Sequence, residues 1–254
     1  MEHTEIWEKP ETTSASPKAN KREAKKAEKE ARRPKALEAR TPRQKQLIQD
    51  LNSYPVVMAL GPAGSGKTYV ASRHALTRLL HNDIEKIVIA RPTVSAQRHR
   101  MGFLPGTADQ KMKPWLVPII DAFKDGTSAS EIEKLMTNKT VEVLPFEHMR
   151  GRTIKNGVFL LDEAQNCTFG DLEMFMTRVG ENCQIIICGD PDQSDIGKDS
   201  GLSDIALMVE RHGLNAGVIT FTEDDVVRSV TAREWVMAFK ADREGGIVRT
   251  LKAA

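Results

Sequence analysis

The sequence is poor in features that would staple it, anchor it in a membrane or send it through one. It has three cysteines, Cys167, Cys183 and Cys188, and no C-x-x-C spacing among them. An odd set without ligand spacing speaks against a disulfide framework or a metal site. Cys183 and Cys188 flank or lie in a run that reads as a buried strand, so packing thiols in a reducing compartment are expected. No apolar run approaches the ~20 residues of a membrane-spanning helix. The first residues lack the apolar stretch of a secretory signal, so a cytoplasmic location is expected. No charge of one sign dominates either, since the formal net charge is +2 over 254 residues. That excludes a wholly polycationic protein. Hydrophobic residues make up 40% of the chain, enough for a core, and the length fits one large domain or two small ones.

Charge is concentrated locally instead. Between Lys18 and Lys45 there are 12 basic and 4 acidic side chains and almost no large apolar residue. Such a composition cannot bury enough surface to offset the entropy of ordering. Residues 1–40 are therefore expected to be a disordered charged tail. They read either as a solvated segment or as an electrostatic arm for RNA or DNA phosphates. Residues 41–254 are expected to form the folded domain, starting with Thr41 as a helix cap and Pro42 as the first helical residue.

The central motif is Gly61-Pro62-Ala63-Gly64-Ser65-Gly66-Lys67-Thr68, which matches G-x-x-x-x-G-K-[ST]. The apolar run Val56–Leu60 precedes it and reads as a parallel strand, and a helical pattern begins at Tyr69. In that context the glycines let successive backbone N–H groups turn toward phosphate oxygens, and the helix adds the positive end of its dipole. Gly61 through Tyr69 are the candidate nucleotide contacts, with Lys67 expected to reach the terminal phosphates and Thr68 to ligate Mg²⁺. Gln44 opens the preceding helix. It reads either as a contact to adenine, whose edge a carboxamide can match, or as a solvent-facing glutamine.

Further strands are expected at Lys86–Ala90, Val141–Leu144, Gly157–Leu161, Gln184–Cys188 and Val218–Phe221, with helical patterns between them. The fourth ends in Asp162-Glu163, a second nucleotide-site signature: Asp162 for the metal, Glu163 to polarise a water. The fifth ends in Gly189-Asp190-Pro191-Asp192-Gln193, where Gln193 can contact the γ-phosphate and the attacking water. Two loops at strand ends carry arginine and hydroxyl groups, Arg91 and Thr93 in one, Arg150, Arg152 and Thr153 in the other. Groups at the carboxyl ends of parallel strands are where open α/β sheets bind ligands.

Alternating strands and helices predict an α/β fold with a mostly parallel sheet flanked by helices. Taken in order, GPAGSGKT, GFLPG, MRGRT, LLDEAQN, TRVGEN, GDPDQSD, SGL and DVVR resemble the PhoH family from about Thr41 to Lys240. The resemblance implies a RecA-like P-loop ATPase that hydrolyses ATP with Mg²⁺, forms ring-shaped oligomers such as hexamers, and handles RNA, with a link to phosphate starvation. Similar proteins are carried by bacteriophages, for which the compartment would be the host cytoplasm. The segment Ser95–Met101 departs from the family, being basic where an acidic Gly-Glu pair is usual. By similarity to superfamily 1 helicases, Arg91, Thr93, Arg150, Arg152 and Thr153 are candidate contacts to a nucleic-acid backbone. The alternative for the two loop arginines is a subunit interface or ATP itself. About 200 ordered residues have room for one such domain, so either hydrolysis is slow or a neighbouring subunit supplies the transition-state arginine. Arg178 and Arg228 are the candidates. An ATP-dependent motor on RNA or single-stranded nucleic acid is the first expectation, and an ATPase switch or protein remodeller without translocation is the alternative.

Overall fold

Four central strands are apolar at nearly every position, which is the pattern of a parallel sheet covered on both faces. The computed structural model describes residues 35–92, 108–149, 152, 155–178, 180–227 and 230–244. Its strands are β1 (Val56–Leu60), β2 (Lys86–Arg91), β3 (Val141–Pro145), β4 (Gly157–Leu161), β5 (Gln184–Gly189) and β6 (Ala216–Thr220). They form one sheet in the order β3-β2-β4-β5-β1-β6, and every pairing is parallel. The helices are α1 (Pro42–Ser53), α2 (Lys67–Leu80), α3 (Ala108–Lys124), α4 (Ala129–Thr137), α5 (Phe169–Met176), α6 (Leu202–His212) and α7 (Val230–Glu244). The fold class is as expected, and the strand limits move by one or two residues. The largest shift is in β6, which begins at Ala216.

Alternate residues of each strand feed two separate cores. Val57, Ala59, Ile87, Ile89, Val158, Leu160 and Ile186 meet α1, α2, α3 and α4 on one face. Met58, Leu60, Val88, Phe159, Leu161 and Ile187 meet α5 and α6 on the other. At the sheet's edge β6 buries Gly217 and Ile219 and exposes Val218 and Thr220, so it is covered on one face. Cys188 is buried in the core, as expected of a packing thiol, whereas Cys183 is only half-buried; Cys167 is buried as well.

Local chemistry sets the helix limits. Thr41 caps α1 with its hydroxyl accepting from the Gln44 N–H at 3.2 Å, and Pro42 follows. Thr168 and Asp171 form a reciprocal capping box at the start of α5. Helix α3 runs unbroken past Pro118, with Ile119 and Phe123 buried against the sheet.

The folded part starts earlier than Thr41. The Lys35 N–H donates to Gly126 O at 3.1 Å, Arg73 Nη2 donates to Lys35 O at 2.6 Å, and Leu37 packs on the core.

At the amino ends of the strands, Gln184 joins three elements. Its Nε2 donates to Leu51 O and Tyr54 O, and its Oε1 accepts from Arg78 Nη1 at 3.0 Å. Oε1 also lies 3.1 Å from His74 Nε2. Burial pushes His74 down to about 4, a bond with Gln184 opposes this, and the nearby Arg78 charge adds to the depression.

Candidate nucleotide site

The carboxyl ends of β1, β4 and β5 are neighbours in the sheet, and each continues into one part of the site. From β1 the chain turns through the phosphate loop. The Gly61 N–H donates to Gly189 O at 3.0 Å, tying that loop to the end of β5. Gly61 has φ +125°, and a Cβ there would run into the Phe221 carbonyl, so only glycine fits. The loop then enters α2 through Gly66 in the left-handed region. Ser65 is fully buried, with its hydroxyl donating to Pro62 O at 2.9 Å.

Lys67 lies over this loop with Nζ 2.7 Å from Gly61 O, 2.8 Å from Pro62 O and 3.3 Å from Ser65 Oγ. Burial draws its ammonium below the usual lysine range, while Asp190, Asp162 and Glu163 act in the opposite sense. Thr68 Oγ1 donates to Asp162 Oδ1 at 2.6 Å. Two residues 94 positions apart in sequence thus converge on one point. Burial raises the Asp162 carboxyl above its ordinary value despite the Thr68 hydrogen bond. A hydroxyl and one carboxylate, both oxygen donors, are what Mg²⁺ takes when phosphates supply the remaining ligands. Among the described residues there is no group of three or more His, Cys, Asp or Glu that could hold a metal.

Glu163 follows in a left-handed backbone conformation, φ +56°, rare for a residue with a side chain. Its Oε2 accepts from Gln165 Nε2 at 2.6 Å, and its Oε1 lies 3.4 Å from Arg91 Nη2. Arg91 Nη1 also lies 3.8 Å from Asp162 Oδ2. Arg91 is therefore aimed at the acidic pair, a position the strand-end loop pattern did not disclose. Gln193 sits on the short turn after β5, exposed, with its N–H bonded to Asp190 O at 3.0 Å.

The other sequence candidates are placed as follows. Gln44 is buried and not solvent-facing: Nε2 donates to Ser65 O at 2.9 Å, and Oε1 accepts from the Arg40 N–H at 2.8 Å. It clamps the phosphate loop. Tyr69 sends its hydroxyl to Asp125 Oδ2 at 3.1 Å. Arg152 pairs with Glu142 at 2.6 Å, a carboxylate that also holds Lys86. Arg178 lies beyond the end of α5, which returns the chain to the amino ends of the strands. There Glu181 O accepts from the Asn156 N–H, so Arg178 stands away from the nucleotide loop of its own chain. Thr93, Arg150, Thr153, Arg228 and the basic segment 95–101 lie outside the described residues, as does 1–34 of the tail. The residue before Arg228 is described, and the Val227 N–H donates to Gly64 O at 2.9 Å. Sequence reasoning missed Gln165 and the placement of Arg91. The signal for Gln165 was its position two residues after Glu163 in a short turn.

A family model described as PhoH-like protein matches residues 36–240. The chain belongs to the PhoH-like family. The PhoH-like protein of Mycobacterium tuberculosis (strain ATCC 25618 / H37Rv) is 37% identical over 218 residues, covering 85% of this chain and 61% of the relative. Protein PhoH of Escherichia coli (strain K12) is 36% identical over 205 residues, 79% of this chain and 57% of that protein. The PhoH-like protein of Bacillus subtilis (strain 168) is 36% identical over 208 residues, 81% and 64% respectively. This PhoH-like chain thus spans about three fifths of the relatives it matches. Among solved structures, the Pyrococcus furiosus Hef helicase domain aligns with TM-score 0.44 at 15% identity, over 72% of this chain and 38% of that one. The Pif1 helicase from Candida albicans aligns with TM-score 0.38 at 13% identity, over 82% and 44%. Among the described residues of this PhoH-like chain, no helix is long and apolar enough to cross a membrane.

Proposed function

We propose that this PhoH-like chain hydrolyses ATP and couples hydrolysis to holding RNA or another single-stranded nucleic acid. The observation that carries the hydrolytic part is the meeting of Thr68 and Asp162 at 2.6 Å beside Lys67 and Glu163. A bound Mg²⁺ would supply charge neutralisation between the terminal phosphates. Thr68 and Asp162 would hold it. Lys67 would exchange its loop carbonyls for phosphate oxygens, and the backbone N–H groups of 61–68 would orient them. Glu163 would orient a water on the far side of the γ-phosphate and take its proton. Gln193, on the adjacent strand-end turn, would contact that water or the γ-phosphate. Adenine recognition by Gln44 would have to use the part of its carboxamide that Ser65 and Arg40 leave open.

The nucleic-acid part rests on the basic loops after β2 and β3, which leave the sheet on the same side as the nucleotide site. Arg150, Arg152 and Thr153 in one and Thr93 in the other are the proposed phosphate contacts. Arg91, the last residue of β2, lies 3.4 Å from Glu163 and would link the first loop to the acidic pair. A homo-oligomeric ring, such as a hexamer, would let Arg178 or Arg228 of one subunit complete the site of another. Arg178 suits such a role because it lies away from its own loop.

The test is steady-state ATP turnover at fixed salt with and without single-stranded RNA. The proposal expects RNA to raise turnover in the wild type and Arg150→Ala to remove the rise while keeping the basal rate. Basal turnover without any response to RNA or DNA would favour the nucleotide-driven protein remodeller instead.

A further inference from the structure

Gln165 is 3% exposed, and both ends of its carboxamide are committed. Nε2 donates to Glu163 Oε2 at 2.6 Å, and Oε1 accepts the Asp190 N–H at 3.0 Å. Its backbone carbonyl accepts the Ser194 hydroxyl at 2.9 Å. One side chain therefore connects the carboxylate after β4 to the turn Asp190–Ser194 after β5. That turn carries Gln193. The fit is tight, because a Cβ on Gly189 would come within 3.0 Å of Gln165 Oε1 and within 2.6 Å of Leu202 Cδ2.

Glu163 needs such a partner. Its backbone is left-handed, outside any helix or strand, so no regular element sets the direction of its side chain. The other contact to its carboxylate, from Arg91, is longer at 3.4 Å. A carboxamide donates at one end and accepts at the other. Glutamate in its place would face Glu163 with a second carboxylate, and methionine would offer neither bond.

We infer that Gln165 is a positioning residue: it ties the orientation of the Glu163 carboxylate to the position of the Asp190–Gln193 turn. A γ-phosphate or water that moves Gln193 then acts on Glu163 through one side chain. This rests on the hydrolytic reading above.

The experiment uses the full chain with Gln165→Met and Gln165→Glu. It measures ATP turnover at saturating ATP and Mg²⁺, the Kd of the non-hydrolysable analogue AMP-PNP, melting temperature, and amide exchange across 190–195 with AMP-PNP against ADP. Both variants are expected to bind AMP-PNP within about 3-fold of wild type and to lose roughly 10- to 100-fold in turnover. The exchange difference between the two nucleotides at 190–195, present in wild type, should vanish. Wild-type turnover in both variants, beside an active wild type, overturns the inference. So does a parallel loss of binding, turnover and melting temperature, which marks a purely structural residue. If methionine prevents folding, the isosteric glutamate decides, and failure of both to fold counts against the inference. A wild type that binds AMP-PNP but never hydrolyses ATP would instead remove the hydrolytic reading, and Gln165 with it.

Discussion

Glu163, the proposed general base, is held at both carboxylate oxygens by Gln165 and Arg91. Glu163→Gln keeps the shape and removes the base. It should lower turnover by about 10² or more while AMP-PNP affinity stays within a few-fold. Turnover at the wild-type rate would show that another group serves the water. Lys67→Ala should act differently, weakening nucleotide affinity itself, because its ammonium is already aimed over the phosphate loop. His74 allows a separate prediction about stability. Its folded value is about 4 against an ordinary 6.5, so the unfolded chain binds more protons between these limits. The stability is present in full above pH 6.5 and is lost as pH falls toward 4, by roughly 3 kcal/mol. Denaturant unfolding from pH 7 to pH 4 should show that slope in wild type and a shallower one in His74→Gln. Equal slopes would contradict the assignment.

At the scale of elements, sheet order makes the site. Strand β5 stands between β1 and β4, and β2 stands beside β4. This brings the phosphate loop, the acidic pair, the Asp190–Gln193 turn and Arg91 together. Strand and helix positions were legible because two-sided burial leaves near-continuous apolar runs and the helices keep a 3.6-residue period. The phosphate loop and Asp162-Glu163 were legible because their chemistry is local. Sheet order is not local, and nothing in the spacing of β2 and β4 announces that they pair. Arg91 was therefore assigned by its loop, and Gln165 stayed unremarked within its motif. Arg178 could not be placed until the direction of α5 was known. The cap of α5 offers a test at this scale. Thr168→Ala removes the hydroxyl that accepts from the Asp171 N–H, and should cost about 1 kcal/mol. That is a drop of a few degrees in melting temperature, with nucleotide affinity unchanged. An unchanged melting temperature would mean the box is not holding the helix.

Across the whole molecule, the end of the basic amino-terminal stretch belongs with the domain. Lys35, Leu37 and Arg40 are bonded or packed against the domain, although the charge density around them resembles that of the residues before. Composition averages over a window, and one leucine is enough to anchor a short segment. Deleting residues 1–34 should leave the melting temperature within about 2 °C, whereas deleting 1–40 should lower it by several degrees. Equal effects would contradict this boundary. Lys67, Thr68, Asp162 and Glu163 are proposed to act jointly on one triphosphate. The most direct test mixes excess protein with labelled ATP and Mg²⁺ and follows bound nucleotide and released phosphate together. Saturable binding and one phosphate released per ATP bound are expected, with Glu163→Gln retaining the ATP uncleaved. A folded wild-type protein that binds no ATP, or binds it and releases no phosphate, would contradict that joint action.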